Sequence, residues 1–358
     1  MATLPLPLVS VSGPPADCGA AYGTAAADLV AANNETYLAR FRLRAGLGRS
    51  EVRAWGTEFR TTTREHHPRI AAMLDGVAEG SGVAVEEIYA LNGRTELLYG
   101  SALRECTALG LIGDGTVIGQ NWDWHPDQRP YSILLATTDE NGFSVATLAE
   151  AGMLGKAGLN SAGVGVCVNM LGCDRDGIRG GVPYHVILRA ALESSDLTIA
   201  LRRVCSSPRS ASINLLIGQA HDGPGGGEII DVELVPGDVG FLHPDEQGRI
   251  AHANHLETGV AVRDYLKDLG SSSFFRAARA RRLLAGGMSM VDIFADHAGF
   301  PNAICRHVDD RDVHDDKSET IFSVILDLDD QRLGIAEGPP CGSTYEWVTL
   351  KELCAELS

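Results

Sequence analysis

The hydrophobic pattern of this chain changes period at Cys106. Before it, apolar residues recur at helical spacing: residues 68–79 carry Ile70, Met73, Leu74 and Val77 on one stripe that closes at Gly80. Residues 20–32, 35–47 and 85–99 read the same way. From Cys106 onward, short apolar runs alternate with turn residues. The runs 107–112 and 116–121 flank Gly113-Asp114-Gly115, and 131–138 and 143–148 flank Glu140-Asn141-Gly142. Both read as β-hairpins, because Asn-Gly and Asp-Gly supply the positive φ that primed turns require. Further strands are expected at 163–170, 212–218, 228–234, 238–242 and 250–253, with a late hairpin of 320–328 and 331–337. Helices are expected at 182–194, where Pro183 near the start costs no hydrogen bond, and at 274–284 and 290–297. The glycines of 223–227 lack a phosphate-binding lysine and read as a hairpin loop. This order implies an α+β chain of stacked sheets with helices outside.

The chain has 358 residues, 44% of them hydrophobic, enough for a substantial core. A net charge of −17 with no basic run argues against nucleic acid and anionic membrane as partners, and mildly favours neutral or cationic small molecules. No stretch is long and apolar enough to span a bilayer, and the proline-broken N-terminus lacks the basic start of a signal peptide. The eight cysteines form no CxxC pair or dense framework, so reduced thiols and a cytoplasmic location are expected.

Cys106 follows a loop and opens a strand. A chain cut before it would carry a thiol and a free α-amine on one residue, and that amine, with a reference pKa of about 8, can serve as the base for its own nucleophile. The bland alternative is a small buried hydrophobe, the usual fate of a free cysteine. His252 and His255 suggest a metal, but residues three apart on a strand point to opposite faces, so shared ligation is not expected. The acidic run 309–316 lacks the ordered spacing of a calcium loop and reads as solvated.

Seven stretches together resemble the penicillin acyltransferase family (acyl-CoA:6-aminopenicillanic acid acyltransferase and its relatives). They are Glu105-Cys106-Thr107, the run from Gly119 to Trp124, the run from Glu150 to Lys156, the run from Asn160 to Gly165, Gly181-Val182-Pro183-Tyr184-His185, His252-Ala253-Asn254-His255 and Ile304-Cys305-Arg306. They occur in the family's order, and the likeness covers the chain from Cys106 onward. Two positions depart from the family's pattern: Glu105 stands where a glycine precedes the cysteine, and Ala108 where a second threonine follows it.

The resemblance implies a four-layer αββα N-terminal-nucleophile hydrolase, made as a precursor that cuts itself before the nucleophile. Residues 1–105 would then be a helical α chain and 106–358 the catalytic β chain, one integrated unit forming a heterodimer after cleavage. The expected activity is amide hydrolysis or acyl transfer on a small N-acyl compound or an acyl-CoA, with no cofactor or metal. Carried over residue by residue, Cys106 would be the nucleophile, Asp123 would orient its ammonium, Asn254 would stabilise the oxyanion, and Arg306 would pair with Asp123 or the substrate. Thr107, Trp122, Trp124, Asn160, Asn169 and His255 are expected at the substrate site, structural hydrogen bonding being the alternative for Asn160 and Asn169. Two competing readings stay open at this point: a papain-like pair of Cys106 with His185 or His255, and a catalytically silent binding protein of the same fold.

Overall fold

The computed structural model describes residues 4–98, 106–178, 180–221 and 227–355. Tyr99, Arg104, Glu105 and residues 223–226 of the expected glycine loop lie outside them.

The chain opens with strand β1 (Leu8–Ser12) and six helices: α1 (Pro15–Ala25), α2 (Ala27–Ala45), α3 (Arg49–His66), α4 (Pro68–Ser81), α5 (Val85–Asn92) and α6 (Arg94–Leu97). Next come β2 (Thr107–Ile112), β3 (Thr116–Trp124), β4 (Ser132–Thr138), β5 (Ser144–Glu150), β6 (Gly158–Asn160) and β7 (Val164–Met170). Helices α7 (Tyr184–Leu192) and α8 (Leu197–Ser206) lead into β8 (Ile213–Gln219), β9 (Glu228–Val235), β10 (Asp238–Leu242) and β11 (Arg249–His252). The chain ends with α9 (Tyr265–Leu269), α10 (Ser273–Ala285), α11 (Met290–Phe294), β12 (Glu319–Asp327), β13 (Arg332–Glu337), β14 (Glu346–Thr349) and α12 (Leu350–Ala355).

The strands form two sheets. One has eight strands in the order β1-β4-β5-β6-β7-β8-β9-β10, the other six in the order β11-β2-β3-β12-β13-β14. Their facing sides share one apolar core that includes Cys106, Ala108, Trp122, Trp124, Leu134, Cys167 and Leu216. The outer face of the larger sheet packs on the helices up to α8, and the outer face of the smaller sheet on α10 and α11. This is the four-layer αββα sandwich that the sequence led us to expect.

Both early hairpins form, with Thr107 opposite Asn121 and Thr138 opposite Ser144, and Gly142 takes a φ of 83° in the second. Helix α4 starts at Pro68 and stops at left-handed Gly82. Other elements depart from the periodicity. The expected helix 20–32 breaks at Ala26, and 85–99 breaks at Gly93. Helix α11 ends at Phe294 rather than 297. Helix α3 falls within the stretch 17–99 that reads as mostly helical, but its limits were not legible, because its buried side offers only Val52, Gly56, Phe59 and Thr63 among polar residues. Strand β1 was not expected. It pairs in parallel with β4, Leu8 opposite Leu134, a contact that local pattern cannot reveal. The segment before Cys106 is therefore not purely helical; it supplies an edge strand of the larger sheet.

Candidate active site

Cys106 sits one residue ahead of β2. Side chains alternate across a strand, so Cys106 and Ala108 turn toward the sheet-to-sheet core with Trp122 and Trp124, while Thr107, Asn121 and Asp123 turn toward α10 and α11. The sulfur of Cys106 and the carboxylate of Asp123 thus lie on opposite faces of the smaller sheet.

On the outer face a polar frame gathers around the backbone of Cys106. Its N–H donates to Asn254 Oδ1 at 2.7 Å. Its carbonyl accepts from Arg276 Nη1 at 2.6 Å, and the same nitrogen donates to Thr107 Oγ1 at 2.6 Å. Arg276 Nη2 donates to Asn254 Oδ1 at 2.9 Å. Asn254 in turn donates through Nδ2 to the Met170 carbonyl, 2.9 Å, and through its backbone N–H to Ser273 Oγ, 2.7 Å. A wholly buried guanidinium of this kind needs acceptors, and these three bonds, with one from Nε to Ser272 Oγ at 3.0 Å, engage four of its N–H groups.

Asp123 Oδ1 accepts from Thr320 Oγ1 at 2.6 Å. Thr320 Oγ1 accepts from the Arg306 N–H, and the Thr320 N–H donates to the Arg306 carbonyl, both at 3.0 Å. Through its backbone, Arg306 thus holds the threonine that holds Asp123.

On the inner face Cys106 lines a cavity of about 30 Å³ with Trp122, Trp124, Lys156, Arg94 and Tyr184. That volume holds roughly one or two waters. Lys156 Nζ stands 3.7 Å from the Trp122 ring centre and 4.0 Å from Glu150 Oε2. Arg94 lies 4.2 Å from the Trp124 ring centre and donates to Glu150 Oε2 at 2.9 Å. Tyr37 donates to Glu150 Oε1 at 2.6 Å and receives a bond from Trp124 Nε1 at 3.1 Å. One buried carboxylate therefore faces two basic side chains, each also resting on an indole face.

Burial sets the protonation states. It pushes the Cys106 thiol up to about 11, helped by the charge of Asp123 and opposed by Lys156 and Arg276. It pulls Lys156 down to about 7, with Arg94 adding to the effect and Glu150 opposing it. It raises Glu96, which accepts the Tyr184 N–H at 2.6 Å, to about 8. A sulfur so placed is a thiol at neutral pH and needs a base.

Of the residues expected at the substrate site, Trp122 and Trp124 line the cavity. Thr107 faces the other way, onto Arg276. Asn160 is a structural clamp: it donates to the Leu192 and Ser194 carbonyls, both at 2.8 Å, and accepts from Ala162 N–H at 2.9 Å and Val164 N–H at 3.0 Å. Asn169 belongs to a buried polar group between the sheets, donating to Asn214 Oδ1 at 3.0 Å. His255 Nδ1 shares Ser273 Oγ at 2.7 Å. These four are therefore not part of the cavity beside the sulfur. Neither His185 nor His255 lines it; His185 Nδ1 is bonded to the Gly155 carbonyl at 3.0 Å.

Sequence reasoning missed Arg276, Arg94 and the role of Lys156. Arg276 carried a usable signal. Ala277, Ala280 and Leu284 define the buried stripe of α10, and Arg276 falls on it whereas Arg279, Arg281 and Arg282 do not.

With this geometry in hand, comparison with known proteins is informative. A family model described as acyl-coenzyme A:6-aminopenicillanic acid acyl-transferase matches residues 111–341. The chain belongs to that family. It is 29% identical over 343 residues to the acyl-coenzyme A:6-aminopenicillanic-acid-acyltransferase 40 kDa form of Emericella nidulans, covering 93% of this chain and 92% of that one. Among solved structures it is similar to penicillin V acylase from Agrobacterium tumefaciens, with a TM-score of 0.45 and 13% identity, covering 70% of this chain and 89% of that one. It is also similar to conjugated bile acid hydrolase from Clostridium perfringens, with a TM-score of 0.42 and 11% identity, covering 69% and 94%. Family membership makes the protein an acyltransferase-type enzyme of C–N acyl chemistry. No helix among the described residues is long and apolar enough to cross a membrane.

Proposed function

We propose that the chain cuts itself between Glu105 and Cys106, and that the new N-terminal cysteine then transfers or hydrolyses the acyl group of a small N-acyl amine or acyl-CoA. The observation that carries this reading is the target of the polar frame. Asn254 and Arg276 address the backbone nitrogen and carbonyl of Cys106, not its sulfur. A papain-like enzyme would aim a histidine at the sulfur, and among the described residues no histidine lines that cavity.

Before cleavage no α-amine exists, so the first proton acceptor must be another group. Lys156 faces the same cavity, and its depressed value of about 7 leaves a sizeable share of it as the neutral amine near pH 7. It takes the Sγ proton, and the thiolate attacks the Glu105 carbonyl. The adduct collapses by breaking the bond to the Cys106 nitrogen, which gains the proton. Water then hydrolyses the thioester, leaving a Glu105 carboxylate and a free thiol.

In the mature enzyme the α-amine of Cys106 accepts the thiol proton. It stays anchored by Asn254 Oδ1, with the carboxylate of Asp123, braced by Thr320 and Arg306, to balance its charge. The sulfur attacks the acyl carbonyl, the amine or CoA departs with the proton, and an S-acyl cysteine forms. The second Asn254 amide hydrogen is the donor for the oxyanion, a role typically worth about 3 kcal/mol. Water or an acceptor amine completes the cycle. Trp122 and Trp124 form the wall for the acyl arm.

The cut pieces stay together as an α/β heterodimer. Strand β1 remains paired with β4, and Tyr37 and Arg94 remain bonded to Glu150 across the junction. All eight cysteines are free, which supports a reducing, cytoplasmic setting.

The test is a panel of N-acyl amines and acyl-CoA donors, with and without acceptor amines, on the purified protein and its Cys106→Ala variant. Turnover lost in Cys106→Ala supports the reading. Equal turnover in both proteins would overturn it, as would failure of every donor with processed protein.

A further inference from the structure

We propose that His297, Cys305, His307 and Cys341 form a structural zinc site outside the catalytic cavity. The four ligand atoms lie within 4.8 Å of one another. His297 Nε2 and His307 Nε2 are 3.1 Å apart, and His307 Nε2 is 3.6 Å from Cys305 Sγ and 3.5 Å from Cys341 Sγ. A tetrahedral zinc with ordinary bond lengths has N–S edges of about 3.6 Å and N–N edges of about 3.3 Å. The three separations at His307 match those edges, and the remaining ones stay within 4.8 Å, so the four atoms surround a space that one ion can share.

The chemistry of the donor set also selects the metal. Two sulfurs and two imidazole nitrogens in tetrahedral array suit zinc, and four protein ligands leave no open position for catalysis. Binding releases the two thiol protons, and the two thiolates neutralise the dication. A Cys305–Cys341 disulfide would use only the sulfurs and would not account for two imidazole nitrogens aimed at the same point. The other His/Asp group, His125, Asp127 and His314, is a poorer candidate. Both ring nitrogens of His125 are already engaged, Nδ1 by the Asp127 N–H and Nε2 by the His314 carbonyl.

The position gives the ion a purpose. Residues 295–318, between α11 and β12, contain one short 3₁₀ turn and no other regular element. Such a long irregular segment costs entropy to order, and a clip to a distant part of the chain offsets that cost. Three ligands come from this segment and the fourth from the 3₁₀ turn Pro340–Gly342 after β13. Cys305 and His307 flank Arg306, whose backbone holds Thr320. The ion would fix the loop on both sides of that clamp.

The experiment is elemental analysis of untagged protein purified after growth with zinc, followed by replacement with cobalt(II). About one zinc per chain is expected, and the cobalt form should show sulfur-to-cobalt charge transfer with intense tetrahedral bands. His297→Ala and Cys341→Ser alter exposed ligands, so both should stay folded by circular dichroism while losing zinc at least ten-fold. Wild-type protein without zinc would overturn the proposal, whether its thiols are free or joined in a disulfide. Equal zinc content in wild type and both variants would overturn it as well.

Discussion

The two outer layers of the sandwich cover their sheets by different means. Against the larger sheet, α1 to α5, α7 and α8 bury a broad apolar surface. Helices α1 and α4 approach so closely that a Cβ on Gly19 or Gly76 would run into the opposing backbone. Against the smaller sheet, α10 and α11 and the irregular segment after them rest on fewer apolar residues and several directed bonds. Asn121 Nδ2 donates to the Phe294 and Ile304 carbonyls at 2.9 and 2.8 Å, and Arg279 grips Asp296 with two bonds of 2.6 Å. The frame around the Cys106 nitrogen belongs to this second layer. Damage to the first layer should therefore appear as lost stability, and damage near Cys106 as lost chemistry.

The largest stability effect should come from the first layer. Arg94→Met removes one partner of a wholly buried ion pair with Glu150, and unfolding should lose about 3–5 kcal/mol in denaturant titration. The comparison would break if this variant were as stable as the wild type. Lys156→Met should leave the fold intact but slow self-cleavage by about 100-fold or more. The pH sign follows from the lysine's depressed value of about 7: on the proposed route the neutral amine is the base, so wild-type cleavage should accelerate as pH rises through 7 and level off above it. Timed gels across pH should show that rise in the wild type and not in the variant. Asn160→Ala should cost about 1–3 kcal/mol in stability with no change in kcat, because all of its bonds are structural. A fall in kcat at unchanged stability would restore it to the substrate site.

The smallest effect concerns the polar group buried between the sheets. His252 Nδ1 faces the Ala253 carbonyl and Nε2 the Glu233 carboxylate, both at 2.8 Å, so the ring donates on both sides and is held protonated up to about 9. Asp231 is raised by burial to about 7. Folded values above the unfolded ones mean stability present at low pH and lost as pH rises, through 4–7 for Asp231 and 6.5–9 for His252. Replacing His252 by Gln should flatten the upper part of that decline by about 1–2 kcal/mol, since Glu233 keeps the Glu257 and Thr258 N–H bonds at 2.6 and 3.0 Å. Thermal melts from pH 5 to 9 would measure it.

The same contrast explains what could be read from residues alone. The hairpins carry their own turn chemistry, so β2–β3 and β4–β5 were legible, as was α4 between Pro68 and Gly82. Strand β1 was not, because its partner lies more than a hundred residues away. Cys106 and its two tryptophans were legible through the likeness to the acyltransferase family, because the local pattern by itself fits a buried structural cysteine. Asn160 was ambiguous because an asparagine that clamps four backbone groups looks, in sequence, like one that binds a ligand. The four residues proposed to hold zinc escaped notice because 36 positions separate Cys305 from Cys341, and only the fold brings them together.

The central claim is that Cys106 works as a chain terminus. Intact-mass analysis with N-terminal sequencing of active protein tests it most directly. The account predicts fragments of 105 and 253 residues, the larger beginning at Cys106, and no cleavage in Cys106→Ala. A single uncut chain of 358 residues that turns over an acyl donor at full rate would contradict it.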